Sequence, residues 1–152
     1  MTGLNPHQGT FGPWVSAGRR HVVPTADLPS IFPETLQEVA GTVAAAGGQL
    51  IGPAYAKYFS MPTDVVDVEI GFGIDHVIDA PSLTVTDHPA TQALIGTHIG
   101  PYDRLAQSYD ELMGWLAEQP VELADAMFEC YDSPPGIDPE QNVTRMVFPL
   151  AD

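Results

Sequence analysis

Residues 91–118 read TQALIGTHIGPYDRLAQSYDELMGWLAE, and the reading of this stretch decides the fold. Ala93, Leu94, Ile95 and Ile99 make residues 91–99 a strand. Gly100-Pro101 breaks it, and an amphipathic helix follows over residues 102–118. Tyr102, Leu105, Tyr109, Leu112, Met113 and Leu116 recur at helical spacing, with Asp103, Gln107, Asp110, Glu111 and Glu118 mostly on the other side. Pro101 suits the first turn, where its missing N–H would have lacked a partner anyway, and Asp103 complements the helix dipole there.

Working outward, Gln119-Pro120 ends the helix and residues 126–131 form the next strand. A Pro- and Asp-rich loop over 132–141 leads to a closing strand at 143–150. The same order occurs upstream. Residues 14–23 read as a strand, 25–29 as a connector, 31–46 as a helix ended by Gly47-Gly48, and 52–59 and 65–74 as strands. Met61-Pro62-Thr63-Asp64 is the turn between those last two. Residues 1–10 read as a loose lead-in and 76–89 as a connector. Ala56-Lys57-Tyr58 stands in the first half where Glu129-Cys130-Tyr131 stands in the second.

The expectation is therefore a single α+β domain over 1–152 with internal repeats at about 12–75 and 90–151. Its duplicated strand–helix–strand–strand units would form one antiparallel sheet, with two helices on one face and a ligand groove between the halves.

Composition narrows the function classes. Five Lys and Arg stand against 20 Asp and Glu, for a formal charge of −15. Direct nucleic-acid binding is not expected, because phosphate contacts supply most non-specific affinity. No apolar run is long enough for a membrane-spanning helix, and no secretory leader is visible, so the expected location is cytoplasmic. One cysteine, Cys130, excludes an internal disulfide. The histidines (7, 21, 76, 88 and 98) show no ligand spacing, so neither a metal site nor a cofactor is expected, with haem at His88 or His98 a minor option. No serine lies in a G-x-S-x-G elbow, and Gly71-Phe72-Gly73 lacks the rest of a dinucleotide loop.

The chemistry concentrates on residues 126–131. Alternation puts Met127, Glu129 and Tyr131 on one face and Phe128 and Cys130 on the other, the latter being the expected core face beneath a helix. Glu129 is then either an ordinary surface carboxylate or a half-buried acid that meets a ligand cation or serves as a base. Tyr55, Tyr58, Phe72, Tyr102, Trp115 and Tyr131 are candidates to line the groove, Tyr58 and Tyr131 foremost because their hydroxyls need partners. Tyr109 and Trp115 also read as residues that pack the second helix on the sheet.

Thr97-His98-Ile99-Gly100-Pro101-Tyr102 with its helix, Glu129-x-Tyr131, and Phe148-Pro149-Leu150 together resemble the GyrI-like domains, the effector-binding domains of bacterial multidrug-responsive transcription regulators. Residues 52–58 and 66–72 continue the likeness. The resemblance implies a stand-alone domain that senses or sequesters a lipophilic, cationic or aromatic compound. Glu129 takes the place of the family's pocket glutamate, and Tyr102 and Tyr131 match its aromatic positions. It also implies two alternatives. One is a hydrolase of cyclopropane-type electrophiles with Glu129 as general acid or base, although the Trp-x-Glu of such relatives is Met127-x-Glu129 here. The other is an interaction protein partnering a separate regulator. Oligomeric state stays open.

Overall fold

The computed structural model describes residues 4–60, 63–133 and 137–151. They fall into two compact units. One is Gly12–Ala90; the other is Thr91 onward together with the segment ending at Phe11.

In the Gly12–Ala90 unit, β2 (Trp14–Pro24) is followed by α1 (Leu28–Ala45), β3 (Leu50–Tyr58), β4 (Val65–Ile74) and β5 (Thr84–His88). The strands are antiparallel in the order β3-β4-β2-β5. Helix α1 begins three residues earlier than the spacing predicts, because Pro29 is accommodated in its first turn. Gly47, at φ 85°, terminates it in the left-handed conformation that glycine adopts without strain. Val39 and Val43 of α1 pack on Ala17, Ile74 and Phe72.

The second unit repeats that path. It contains β6 (Thr91–Ile99), a 3-10 turn at Tyr102–Arg104, α2 (Leu105–Ala117), β7 (Met127–Tyr131) and β8 (Val143–Pro149), with β1 (His7–Phe11) added at the edge. The order is β1-β6-β8-β7, again antiparallel. Leu112 and Leu116 of α2 pack on Leu94, Met146 and Phe148. The α+β class and the repeated strand–helix–strand–strand order thus hold.

Two short strands were not expected. Residues 7–11 and 84–88 read as lead-in and connector, yet both pair at a sheet edge. Their side chains are mostly polar and their pairing partners distant, so no local pattern announces them. The turn at 61–64 and the loop at 132–141 fall partly on residues 61–62 and 134–136, outside the described residues. No helix among the described residues is long and apolar enough to cross a membrane.

The ladders make the repetition residue-specific. Arg19, Ile70 and Ala56 lie on one rung of the first unit, and Gly96, Met146 and Glu129 on the matching rung of the second. Two residues along each strand, on the same face, His21, Val68 and Tyr58 correspond to His98, Thr144 and Tyr131. The helices match too: Thr35, Val39 and Val43 are buried in α1, and Ser108, Leu112 and Leu116 in α2. Each unit ties its helix to its first strand by a histidine–hydroxyl hydrogen bond. His21 Nε2 lies 2.9 Å from Thr35 Oγ1, and His98 Nδ1 lies 2.7 Å from Ser108 Oγ.

Candidate functional site

The face of β7 that looks toward α2 is the opposite of the one expected. Glu129 pairs across the ladder with Met146, which belongs to the core beneath α2, and Met127 packs against that same core. Phe128 and Cys130 therefore point away from the helix. They are buried as well, Phe128 against the ring of Phe11 at 5.3 Å. Alternation assigns the core face only when one face is wet, and here neither is. Burial pushes the Cys130 thiol up to about 12, so it is inert at neutral pH.

Glu129 is 6% exposed. Tyr131 donates its hydroxyl to Oε1 at 2.6 Å, and Tyr109 of α2 donates to Oε2 at 2.5 Å. The same Tyr109 hydroxyl lies 3.8 Å from the Met127 sulfur. Tyr102, at the head of α2 and 52% exposed, stands edge-on to Tyr131 with ring centroids 6.0 Å apart. Burial, and then the negative charge of Glu129, raise the Tyr102 phenol above its ordinary value. A buried carboxylate is thus held by two charge-assisted hydrogen bonds among three phenol rings and a thioether.

Of the residues singled out from sequence, the structure brings together Glu129, Tyr131, Tyr102 and Met127. Trp115 packs on the α2 core and its carbonyl accepts from Gln119 Nε2 at 3.0 Å. Phe72, Tyr55 and Tyr58 belong to the other unit. Phe72 lies under α1. Tyr58 shares the α1 side of β3 with Ala56, while Tyr55 points from the opposite face.

Tyr109, read as packing alone, is the residue sequence reasoning missed. A phenol on the inner stripe of a helix needs an acceptor, and that was the available signal. Met113, expected on the stripe, is 41% exposed, and Ser108 takes the inner position. Both nitrogens of His98 are engaged: Nε2 donates to the Pro101 carbonyl at 2.9 Å, leaving Nδ1 to accept from Ser108. Thr144, fully buried and cross-strand from Tyr131, has no hydrogen-bond partner for Oγ1 among the described residues. An unsatisfied buried hydroxyl costs about 1–3 kcal/mol.

A second buried carboxylate lies in the Gly12–Ala90 unit, on the sheet face away from α1. Tyr55 donates its hydroxyl to Glu69 Oε2, and Glu69 is 4% exposed. Gly18 leaves the space these two side chains fill. The Tyr55 ring meets Trp14 edge-on at 5.2 Å, Trp14 stacks on His88 at 4.5 Å, and His88 Nε2 lies 2.8 Å from Ser16 Oγ. Burial, with help from the Lys57 charge, pushes His88 down to about 4, so this imidazole is neutral at pH 7. Burial also raises Glu69 above its ordinary 4.5, against the opposing pull of Tyr55, Lys57 and Arg20.

A raised carboxyl contributes stability in its protonated form, and that contribution is lost as pH rises through the folded-state value. Glu69→Gln keeps an acceptor for Tyr55 and removes the titration. The melting temperature of Glu69→Gln minus that of the wild type is therefore expected to increase from pH 4.5 to 8. A difference that falls over that range would mean the fold favours the ionised form.

No group of three or more His, Cys, Asp or Glu that could hold a metal ion occurs among the described residues.

The family model for the GyrI-like small-molecule binding domain matches residues 16–151. The chain belongs to the GyrI-like small-molecule binding domain family. Among solved structures of this GyrI-like fold, the C-terminal domain of EcmrR superposes with a TM-score of 0.78 at 21% identity. That alignment covers 97% of this chain and 98% of the other. The EcmrR–DNA complex gives 0.82 at 20% identity, and there this chain spans 57% of the length of the EcmrR chain. SAV2435, solved bound to tetraphenylphosphonium, gives 0.71 at 11% identity, with 97% and 94% covered. At these identities the likeness establishes the fold. No match to a curated protein was found by sequence.

Proposed function

We propose that this GyrI-like chain senses or sequesters a lipophilic cation, held against Glu129 by the rings of Tyr102, Tyr109 and Tyr131. The observation that carries the reading is the burial of one carboxylate, with both oxygens oriented by phenols, on a helix-covered face that is otherwise largely apolar. A buried charge without an ionic partner is costly, and a ligand cation would supply one. Aromatic faces stabilise the same cation through their quadrupoles.

The charge elsewhere supports a cation over an anion. Every arginine is already paired with a carboxylate: Arg19 with Glu38, Arg20 with Asp67, Arg104 with Glu140 and Arg145 with Asp132. The related SAV2435 fold was solved with tetraphenylphosphonium, a cation of this class. The two phenols favour binding over a general-base role, since each already donates to an oxygen that would have to take a proton from water.

Calorimetric titration with tetraphenylphosphonium and with neutral triphenylphosphine oxide tests the reading. The cation is expected to bind at least about tenfold more tightly, as one unscreened buried charge contact implies. Equal affinity for the neutral compound would overturn the charge-based account.

A further inference from the structure

Among the matching positions beneath the two helices, three carry a polar side chain in the second unit where the first has an apolar one. Where the first unit has Ala56, Leu36 and Val68, the second has Glu129, Tyr109 and Thr144. Glu129 and Tyr109 are hydrogen-bonded to each other. Thr144 is not bonded to either. Its hydroxyl is fully buried with no acceptor or donor among the described residues, while Val68, of the same shape, fills the same rung with no polar atom to satisfy.

Valine is thus what this rung accepts for packing alone. Threonine at the matching place keeps a hydroxyl that the fold leaves unsatisfied, so packing does not account for it. Its position is informative. Thr144 is directly cross-strand from Tyr131, on the sheet face turned to α2, two residues along the strand from Met146, the cross-strand partner of Glu129. Directly opposed side chains on a ladder have Cβ atoms about 4.5–5.5 Å apart, which sets the Thr144 side chain beside that of Tyr131, whose hydroxyl orients Glu129. On its other flank, His98 has both nitrogens in use.

We propose that Thr144 is the hydrogen-bonding point of the Glu129 site, and that its ligand is a lipophilic cation carrying a hydroxyl, carbonyl or amine. This rests on the reading of Glu129 given above. Charge and neutral polar recognition are then divided. Glu129, with each oxygen already accepting from a phenol, acts through its charge. Thr144 selects for a heteroatom on the ligand, donating to a carbonyl or accepting from a hydroxyl or amine. A site whose hydroxyl is paired only in the complex discriminates against compounds that lack the matching group.

Matched probes test this: tetraphenylphosphonium and its 3- and 4-hydroxyphenyl analogues, titrated into the wild type and Thr144→Val. In the wild type one hydroxyl isomer is expected to bind about five- to tenfold more tightly than the parent cation, the worth of one neutral hydrogen bond. Thr144→Val should abolish that advantage, so that the parent cation and its hydroxyl analogues bind the variant with affinities in a ratio near one. The melting temperature serves as the fold control, since valine fills the equivalent rung of the first unit. No hydroxyl preference in the wild type, or a preference that survives in Thr144→Val, would overturn the assignment of Thr144 while leaving the cation site standing. Failure of the parent cation to bind the wild type at all would overturn both.

Discussion

Glu129→Gln is expected to weaken tetraphenylphosphonium binding by about ten- to a hundredfold at physiological salt. The magnitude follows from one charge: at about 6 Å and an effective dielectric near 20, the attraction is on the order of 2–3 kcal/mol. The surrounding net charge of −15 does not replace it, because exposed charges beyond about 8 Å are screened at this ionic strength and a buried one is much less so. Structure is nearly conserved in the variant. The amide oxygen still accepts from one of the two phenols, and the amide N–H2 can donate to the oxygen of the other. A melting temperature within a few degrees of the wild type would therefore accompany the loss of affinity. Unchanged affinity in Glu129→Gln would remove this carboxylate from recognition. Binding lost together with the cooperative melt would show that Glu129 is a structural acid.

Gly71→Ala is expected to have the largest effect on folding. A Cβ at residue 71 would lie 2.0 Å from the Ala17 carbonyl oxygen, 2.5 Å from Gly18 Cα and 2.8 Å from the Ala17 carbonyl carbon. All three atoms are backbone of the strand with which Gly71 is paired. No rotamer change relieves such contacts; β2 and β4 would have to separate along the longest ladder of the unit. The cost is expected to reach about 4 kcal/mol or more, the range of severe core lesions. For a chain of this size that corresponds to a fall in melting temperature of about 8–16 °C, or to no soluble protein. Gly41 in α1, where a Cβ meets nothing within 4 Å, is the control. Gly41→Ala should be neutral or gain about 0.5–1 kcal/mol, because alanine loses less backbone entropy in a helix. A Gly71→Ala protein melting within two degrees of the wild type would contradict the close strand approach.

The two buried acids, Glu129 and Glu69, show different degrees of legibility. Glu129 stood out as an acid in an apolar strand opposite Ala56 of the repeat, and the resemblance to GyrI-like domains pointed to it as well. Its surroundings did not stand out: Tyr109 lies 20 residues away on α2, and only the docking of that helix brings the phenol to the carboxylate. Glu69 was invisible, because Val65, Asp67, Glu69, Gly71 and Gly73 alternate with Val66, Val68, Ile70, Phe72 and Ile74 as a solvent face does. Tyr55, from another strand, donates its hydroxyl to it, and the Tyr55 ring is in turn met edge-on by Trp14.

The amino-acid sequence by itself determined the order strand–helix–strand–strand in both halves, through helical spacing, the Gly47-Gly48 and Gly100-Pro101 breaks, and the runs of β-type residues. It also determined that a single acid, Glu129, has an apolar counterpart. Those features are local, set by propensity and spacing within a few residues. The tertiary structure decided which face of β7 meets α2, which phenols hold Glu129, which polar segments become edge strands, and that the Thr144 hydroxyl has no described partner. Each depends on pairing or docking between residues far apart in the chain. Where both faces of a strand are buried, alternation no longer distinguishes inside from outside, and only the register of the neighbouring strand and the seat of the helix do.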